Sequence, residues 1–173
     1  VREKDDVMTV VACNSAHSHV QFGTQRVLTP EVARETVGKQ LRWRELPLSS
    51  AELQKFAEEK TQDRRAQFTE PQSFGADAKS DAVVVHPAWI AWQGTPLLEH
   101  SLKHMPAIHA RTRMQLLRRA PADQTLSAGA VLRDAFERKG NHYAVMDALL
   151  LDERGRPVAQ LEHTTIFRIR SKL

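Results

Sequence analysis

Residues 143–170, YAVMDALLLDERGRPVAQLEHTTIFRIR, hold two apolar runs on either side of a turn-forming segment. In the second run, the residues that would share one face of a strand recur two apart: Ala159, Leu161, His163, Thr165, Phe167 and Ile169. A period of two is that of a β-strand, because successive side chains point to opposite faces. The segment between the runs, DERGRP, contains the glycine and proline that favour a turn. The stretch therefore predicts an antiparallel hairpin.

Three earlier stretches show a similar alternation. In residues 107–117, AIHARTRMQLL, and 129–140, GAVLRDAFERKG, the apolar residues fit a strand better than a helix. Residues 41–48, LRWRELPL, also alternate and predict a strand. The last third of the chain is thus predicted to form three or four antiparallel strands.

Two helices are predicted nearer the start of the chain. Residues 29–38, TPEVARETVG, begin with Thr29 as a candidate N-cap, followed by proline, and end at a glycine. Residues 49–60, SSAELQKFAEEK, place Ser49 and Glu52 at the spacing of a capping box. Both segments carry the start and stop signals of short helices.

Residues 82–92, AVVVHPAWIAW, change character in the middle. The β-branched run predicts the end of a short strand, and the apolar segment from Pro87 predicts a buried helix that Gly94 and Pro96 are expected to interrupt. Residues 61–81 lack a sustained period and predict a long loop. Helices followed by strands, with a sheet covering a buried helix, define an α+β fold.

The length of the chain predicts one domain. Its 173 residues are assigned to an N-terminal extension of uncertain structure, 1–28, and a single domain, 29–173. Hydrophobic residues make up 41% and charged residues 27%, as in soluble globular proteins. No apolar run is long enough to span a membrane, and the start lacks the apolar region of a secretory signal. The single cysteine excludes an internal disulfide, so a cytoplasmic location is expected.

The net charge of +4 would suit nucleic acid or another polyanion. The lysines and arginines are spread among acidic residues without a basic block, so nucleic-acid binding is not expected. A mildly basic, solvated surface explains the charge. If the charge has a specific binding role, a phosphate-bearing ligand is the best candidate.

Three segments carry a family resemblance: FAEEKTQD at 56–63, VVVHPAW at 83–89, and the ending at 136–164, FERKGNHYAVMDALLLDERGRPVAQLEHT. Together they resemble the MaoC-like dehydratases and (R)-specific enoyl-CoA hydratases, over roughly residues 30–170. The resemblance implies a hot-dog fold, in which a curved antiparallel sheet surrounds a central helix. It also implies a lyase of fatty acid metabolism that acts on an acyl-CoA or acyl-carrier thioester, with no other cofactor and no metal. The resemblance further implies that this chain forms a homodimer, or a heterodimer with a second hot-dog subunit.

The catalytic motif of the family is incomplete in this chain. The family uses an Asp and a His five residues later to position or activate water, and the N–H of a Gly after a second His as an oxyanion donor. Asp63 matches the Asp, but Phe68 stands at the first His position. His86 matches the second His, but Pro87, which has no N–H, replaces the Gly.

These departures leave several functions open. The chain is either the non-catalytic partner of an active hot-dog subunit or a hydratase that uses Asp63 with another base, for which His86 is the nearest candidate. An acyl-CoA-binding or scaffold module without activity and a hot-dog thioesterase are the alternatives. Arg64 and Arg65, which come directly after Asp63, are candidate ligands of coenzyme A phosphates or members of a solvated loop. Trp89 is a candidate for lining the substrate site or for packing the central helix.

The remaining histidines favour structural roles. His100 and His104 have the i,i+4 spacing of metal ligands, and Cys13, His17 and His19 lie close together, but neither group is a recognisable metal motif. His163, on the apolar face of the last strand, is predicted to be a hydrogen-bonded core or interface residue, with a replacement catalytic base as the alternative.

Overall fold

The predicted hairpin forms the centre of the sheet. The structure, a computed structural model, describes residues 25–72, 82–103 and 107–170. Five strands form an antiparallel sheet: β2 (Arg44–Pro47), β4 (Ile108–Leu116), β5 (Thr125–Arg138), β6 (Asn141–Leu151) and β7 (Pro157–Arg168). Their order is β2-β5-β6-β7-β4, so the hairpin of β6 and β7 is flanked on both sides and β2 and β4 lie at the edges. The hairpin, and the strand predicted over 107–117, are confirmed.

A second, two-stranded parallel sheet joins the start of the described chain to the domain. It pairs β1 (Arg26–Val27) with β3 (Leu102–Lys103). Leu28, next in the chain, is buried in the core. Residues 1–24 of the predicted extension lie outside the described residues.

The early helices begin where their caps predict. Helix α1 (Pro30–Thr36) has Thr29 as N-cap, whose hydroxyl accepts a hydrogen bond from the Val32 N–H at 3.2 Å. Helix α2 (Ser50–Lys55) is capped by Ser49 and continues without a break as a π-helix, Phe56–Thr61. A π-helix has an i to i+5 hydrogen-bond pattern and is widespread at functional sites.

The predicted loop over 61–81 contains a short helix that the sequence did not reveal. This helix, α3 (Ala66–Thr69), is a single turn, and residues 73–81 lie outside the described residues. Its one buried residue, Phe68, packs with Ala57 and Val84, which explains why four residues without a sustained pattern become helical. The predicted strand end at 82–85 contributes isolated bridges only, including Val84 with Pro121.

Two consecutive helices form the layer beneath the sheet. Helix α4 (Pro87–Trp92) starts where predicted, and helix α5 (Gly94–Ser101) begins after one residue. The interruption expected from Gly94 and Pro96 is present, since α4 ends at Trp92 and α5 begins at Gly94. Both residues lie in the first turn of α5, where proline is tolerated because the first N–H groups have no helical partner. Leu97 and Leu98 of α5 are buried in the core with residues of the sheet. No helix in the described ranges is long and apolar enough to cross a membrane.

Candidate functional site

Asp63 lies at the end of the π-helix, turned toward the protein. Gln62 adopts a left-handed conformation with φ of 54°, which ends the helix. The Asp63 N–H then donates to the Ala57 carbonyl at 2.9 Å and fixes the backbone. The Asp63 side chain is only 16% exposed. Local helix-end geometry therefore brings this carboxylate to a defined position.

His86 is the N-cap of helix α4. Its Nδ1 accepts a hydrogen bond from the Ala88 N–H at 3.0 Å, so this nitrogen carries no proton. The proton of the neutral ring is then on Nε2, which lies 3.1 Å from Oδ2 of Asp63 and donates to it. The side chain of His86 is 10% exposed. The structure thus brings the two sequence-predicted catalytic candidates into direct contact, with both ring nitrogens of His86 engaged.

Arg65 holds the carboxylate of Asp63 from the other side. Its Nε donates to Oδ1 at 3.0 Å, its terminal NH2 donates to Oδ2 at 2.6 Å, and its backbone N–H donates to Oδ1 at 3.1 Å. These bonds, with that from His86, lower the pKa of Asp63 well below its ordinary value, the side-chain bond from Arg65 being the largest cause. Asp63 is therefore ionised at neutral pH, and both its oxygens already accept hydrogen bonds.

Phe68 occupies the space next to the pair. It is 4% exposed, and its ring centroid lies 4.4 Å from that of His86, with the planes tilted by 57°. The Arg65 guanidinium carbon lies 5.0 Å from the same ring centroid, within the range of a cation–π contact. The residue at the family's His position is therefore a packing residue that supports both partners of Asp63.

This arrangement limits the chemistry of Asp63 and His86. A carboxylate with a strongly lowered pKa is a weak general base, because base strength falls with the pKa of the conjugate acid. His86 would have to give up either its bond to Ala88 or its bond to Asp63 before it could exchange a proton with a substrate. As the structure describes them, the two residues form a closed hydrogen-bonded unit with Arg65; we call these three residues the Asp63 clasp.

The other sequence-predicted site residues have different surroundings. Arg64 is exposed, and Arg65 uses its guanidinium on Asp63. Trp89 is partly buried and packs against the main core. Their proposed roles in substrate binding stay predictions. The sequence analysis did not predict that Arg65 is the main partner of Asp63. An aspartate and an arginine two residues apart, just after a helix end, are a pattern that could have suggested this ion pair.

A second buried polar cluster surrounds His163. Its side chain is 1% exposed, and its Nδ1 lies 2.8 Å from the Thr112 hydroxyl. Its Nε2 lies 3.1 Å from the hydroxyl of Thr95 and 2.9 Å from that of Thr165. The prediction that His163 is a hydrogen-bonded core residue is confirmed. We call His163 and the three threonines the His163 cluster.

Of the residues considered as metal ligands in the two groups, the structure describes His100. His104, Cys13, His17 and His19 are outside the described residues. His100 Nε2 lies 3.1 Å from the carbonyl of Trp43. Over the described ranges, no group of three or more His, Cys, Asp or Glu residues is placed to hold a metal ion.

Comparison with known proteins identifies the architecture. No protein-family model matches the chain. No curated protein matches it either. Solved structures do match: an (R)-hydratase from A. caviae involved in PHA biosynthesis aligns with a TM-score of 0.61 and 18% identity, over 76% of this chain and 96% of that one. This protein has the hot-dog fold.

Two further hot-dog neighbours are similar at the same level. The C-terminally truncated HadBC (3R-hydroxyacyl-ACP dehydratase) complex of Mycobacterium tuberculosis has a TM-score of 0.60 and 16% identity, over 76% of this chain and 96% of that one. A MaoC-like dehydratase from Rhodospirillum rubrum has a TM-score of 0.57 and 16% identity, over 78% and 94%. The α+β hot-dog fold expected from the sequence resemblance, and the structural likeness to MaoC-like dehydratases and (R)-hydratases, are confirmed.

Proposed function

We propose that this hot-dog protein is the substrate-binding, non-catalytic subunit of an acyl-thioester hydratase or dehydratase, and that a second hot-dog subunit supplies the catalytic residues. The observation that carries the proposal is the Asp63 clasp. The carboxylate that would act on water is occupied by Arg65 and His86, and the imidazole that would accompany it is replaced by the buried ring of Phe68. The fold is that of acyl-thioester enzymes, while the local chemistry favours a structural role.

Helix α4 supports the same conclusion. In the family pattern, the N–H after the His polarises the thioester carbonyl as an oxyanion donor. Here Pro87 occupies that position and has no N–H. The next N–H along the chain, that of Ala88, donates to Nδ1 of His86. An oxyanion formed at this helix start would find no backbone donor at the family position.

The sheet edge offers a surface for the second subunit. Strand β4 pairs with β7 on one side, and within the described part of the chain no strand pairs with its other side. Ile108 and Leu116 of β4, and Leu117 beyond it, are exposed apolar residues along this edge. An unpaired strand with apolar side chains is a template for pairing with another chain. The HadBC neighbour, a 3R-hydroxyacyl-ACP dehydratase, is described as a complex.

The substrate proposed is an enoyl or 3-hydroxyacyl thioester of coenzyme A or of a carrier protein. To test this, the purified chain is mixed with a medium-chain trans-2-enoyl-CoA and loss of the enoyl absorbance is monitored. We expect no hydration by the chain alone, and hydration when it is co-expressed with a hot-dog subunit that carries both the motif Asp and the His five residues after it.

Two matched variants separate the roles of the subunits. In the assembled pair, Asp63→Asn is expected to leave hydration within about twofold of the unmodified rate, because a carboxylate of such low pKa is a poor base. The same substitution at the motif Asp of the other subunit should abolish hydration. Hydration by this chain alone that disappears in Asp63→Asn would overturn the proposal in favour of a stand-alone hydratase. Release of free thiol from a saturated acyl-CoA would instead identify a thioesterase.

A further inference from the structure

A small pocket rich in arginine lies between the loop that leads into β5 and the turn between β6 and β7. Its volume is about 140 Å³. The described residues that line it include Arg118, Arg119 and Arg156 and one carboxylate, Asp152. Among these described residues, cations outnumber the anion three to one in a small space, and this concentration of guanidinium groups is not explained by the Asp63 clasp or by the fold.

The turn holds one of these guanidinium groups in a fixed orientation. The Asp152 carboxylate accepts hydrogen bonds from the backbone N–H groups of Arg154 at 2.9 Å and Arg156 at 2.8 Å. It also accepts one from Nε of the Arg156 side chain at 2.7 Å. Asp152 is buried, so the pair is anchored. A pre-oriented guanidinium loses less entropy when it binds an anion than a freely rotating one does.

Arg118 and Arg119 lie in a segment whose backbone is held by hydrogen bonds to neighbouring elements. The Arg118 N–H donates to the Val158 carbonyl of β7 at 3.2 Å, and the Ala120 carbonyl accepts from the Val85 N–H at 2.9 Å. Among the residues that the structure describes, no carboxylate lies within ion-pair distance of Arg118 or Arg119. Over the described ranges, two cations thus lie next to the pocket without a carboxylate in ion-pair contact.

The size of the pocket defines the class of ligand. At about 140 Å³ it is smaller than the roughly 300–1,000 Å³ typical of pockets that enclose a whole small molecule. It matches a single compact anionic group. Guanidinium groups bind phosphate oxygens in bidentate fashion through charge-assisted hydrogen bonds. We propose that this pocket binds one phosphate group.

The location of the pocket connects it with the proposed substrate. Ala120 and Pro121 line it and pair with Val85 and Val84, the two residues that precede His86. The pocket therefore shares a wall with the segment that ends at the Asp63 clasp. If the proposed function holds, on which this assignment of the ligand's source rests, the phosphate belongs to the coenzyme A portion of the thioester.

Calorimetric titration of the full chain with three probes tests the site: adenosine 3′,5′-bisphosphate, which is the phosphate-bearing end of coenzyme A, ADP, and inorganic phosphate. We expect saturable binding of adenosine 3′,5′-bisphosphate. In the double variant Arg118→Ala/Arg119→Ala this binding should weaken by at least about tenfold, because two charge-assisted contacts are removed.

Two controls distinguish binding in the pocket from an effect of overall charge and from binding by the arginine beside Asp63. Arg138→Ala/Arg168→Ala removes the same charge from exposed positions on β5 and β7 and should change the affinity by less than about twofold, since screened surface charges act weakly. Arg64→Ala tests the arginine beside Asp63. Absence of binding of all three probes, unchanged binding in the Arg118/Arg119 variant, or loss of binding in Arg64→Ala alone would overturn the proposal.

The probes also separate the source of the phosphate from the proposed function. Equal affinity for inorganic phosphate and the nucleotide supports a phosphate site but removes coenzyme A as its specific ligand. Binding of adenosine 3′,5′-bisphosphate needs no turnover, so it is measurable even if the chain has no role in thioester chemistry. Conversely, an assembled pair that hydrates an enoyl N-acetylcysteamine thioester, which lacks phosphate, would support the proposed function whatever the titration shows.

Discussion

The Asp63 clasp and the His163 cluster each hold a buried histidine, but with opposite partners. The ring of His86 is bound by a carboxylate and by the backbone of a helix start, beside an arginine that reaches the surface. The ring of His163 is bound by three hydroxyl groups beneath helix α5. A charged carboxylate therefore orients the His86 ring, whereas uncharged hydroxyl groups orient the His163 ring. Because the partners differ in charge, the two groups should respond differently to mutation and to pH.

The largest expected effect separates the two histidines by truncation. His163→Ala should destabilise the fold by about 4 kcal/mol, because it empties a fully buried site and removes the partner of three hydroxyls. His86→Ala should cost only about 1–2 kcal/mol, mainly through loss of the helix cap. Urea unfolding monitored by circular dichroism measures both.

The matched control for this pair is His86→Asn. Asparagine is among the best N-cap residues, so this variant should recover most of the stability lost in His86→Ala. Equal losses for His86→Ala and His163→Ala would contradict the distinction between the Asp63 clasp and the His163 cluster.

The next effect concerns the contact between Gly94 and His163. A Cβ on Gly94 would lie 2.5 Å from Cγ of the imidazole ring, so the ring would have to move. We expect Gly94→Ala to destabilise by about 2–3 kcal/mol, in the range of core overpacking, although alanine favours helices. Thermal and urea unfolding measure the change.

A double variant shows whether the ring is the cause. In a His163→Ala background the added methyl group has room, so Gly94→Ala should become neutral or stabilising there, and a double-mutant cycle gives the coupling. Additive losses in the double variant would show that the glycine is required for another reason.

The smallest expected effect is the part of the pH dependence of stability that comes from the charge of Asp63. Because the pKa of Asp63 is lower in the folded protein than its ordinary value of 3.8, its ionised form stabilises the fold above that pH. The stabilisation is lost as the pH falls below 3.8 toward the folded pKa. Asp63→Asn should therefore be less stable than the unmodified protein at neutral pH, and this difference should shrink in acid.

Other carboxyl groups require that the comparison be made as a difference. The pKa values of Asp123, Asp152, Glu31 and Glu162 are also lowered, so both proteins lose stability in acid. Arg65→Ala, which removes the main cause of the shift, should raise the pKa of Asp63 and reduce the same pH dependence. A stability difference that stays constant from pH 7 to about pH 2 would mean that the charge of Asp63 does not stabilise the fold.

The sequence predicted the parts of this molecule that depend on local pattern. The alternation from Ala159 to Ile169 predicted the strand observed as β7 (Pro157–Arg168) and placed His163 in the core, because the period of a strand assigns each side chain to a face. Thr29 and Ser49 marked helix starts through chemistry that acts within three residues. Resemblance to known proteins added the fold as a whole, which no single periodic stretch contains.

The contacts that define the two histidine sites were beyond such reasoning. Asp63 and His86 are 23 positions apart, and their motif positions did not indicate that each would occupy the other's hydrogen-bonding atoms. Gly94 marked the break between α4 and α5, as the sequence predicted, but the pattern did not show that its small size lets α5 lie against the His163 ring. Both contacts arise from the packing of elements that are far apart in the chain, and the spacing of residues in the sequence does not show which elements pack together.

The number of residues in the π-helix at Phe56–Thr61 sets the direction of the chain that follows it. A π-turn accommodates one residue more than an α-turn does. Removal of a single residue there would restore an α-helix and rotate the next part of the chain by about 100° around the axis. Asp63 would then face away from His86. The contact between Asp63 and His86 therefore depends on the number of residues in this segment as much as on their identity. A related chain that is one residue shorter here is expected to lack this carboxylate–imidazole contact.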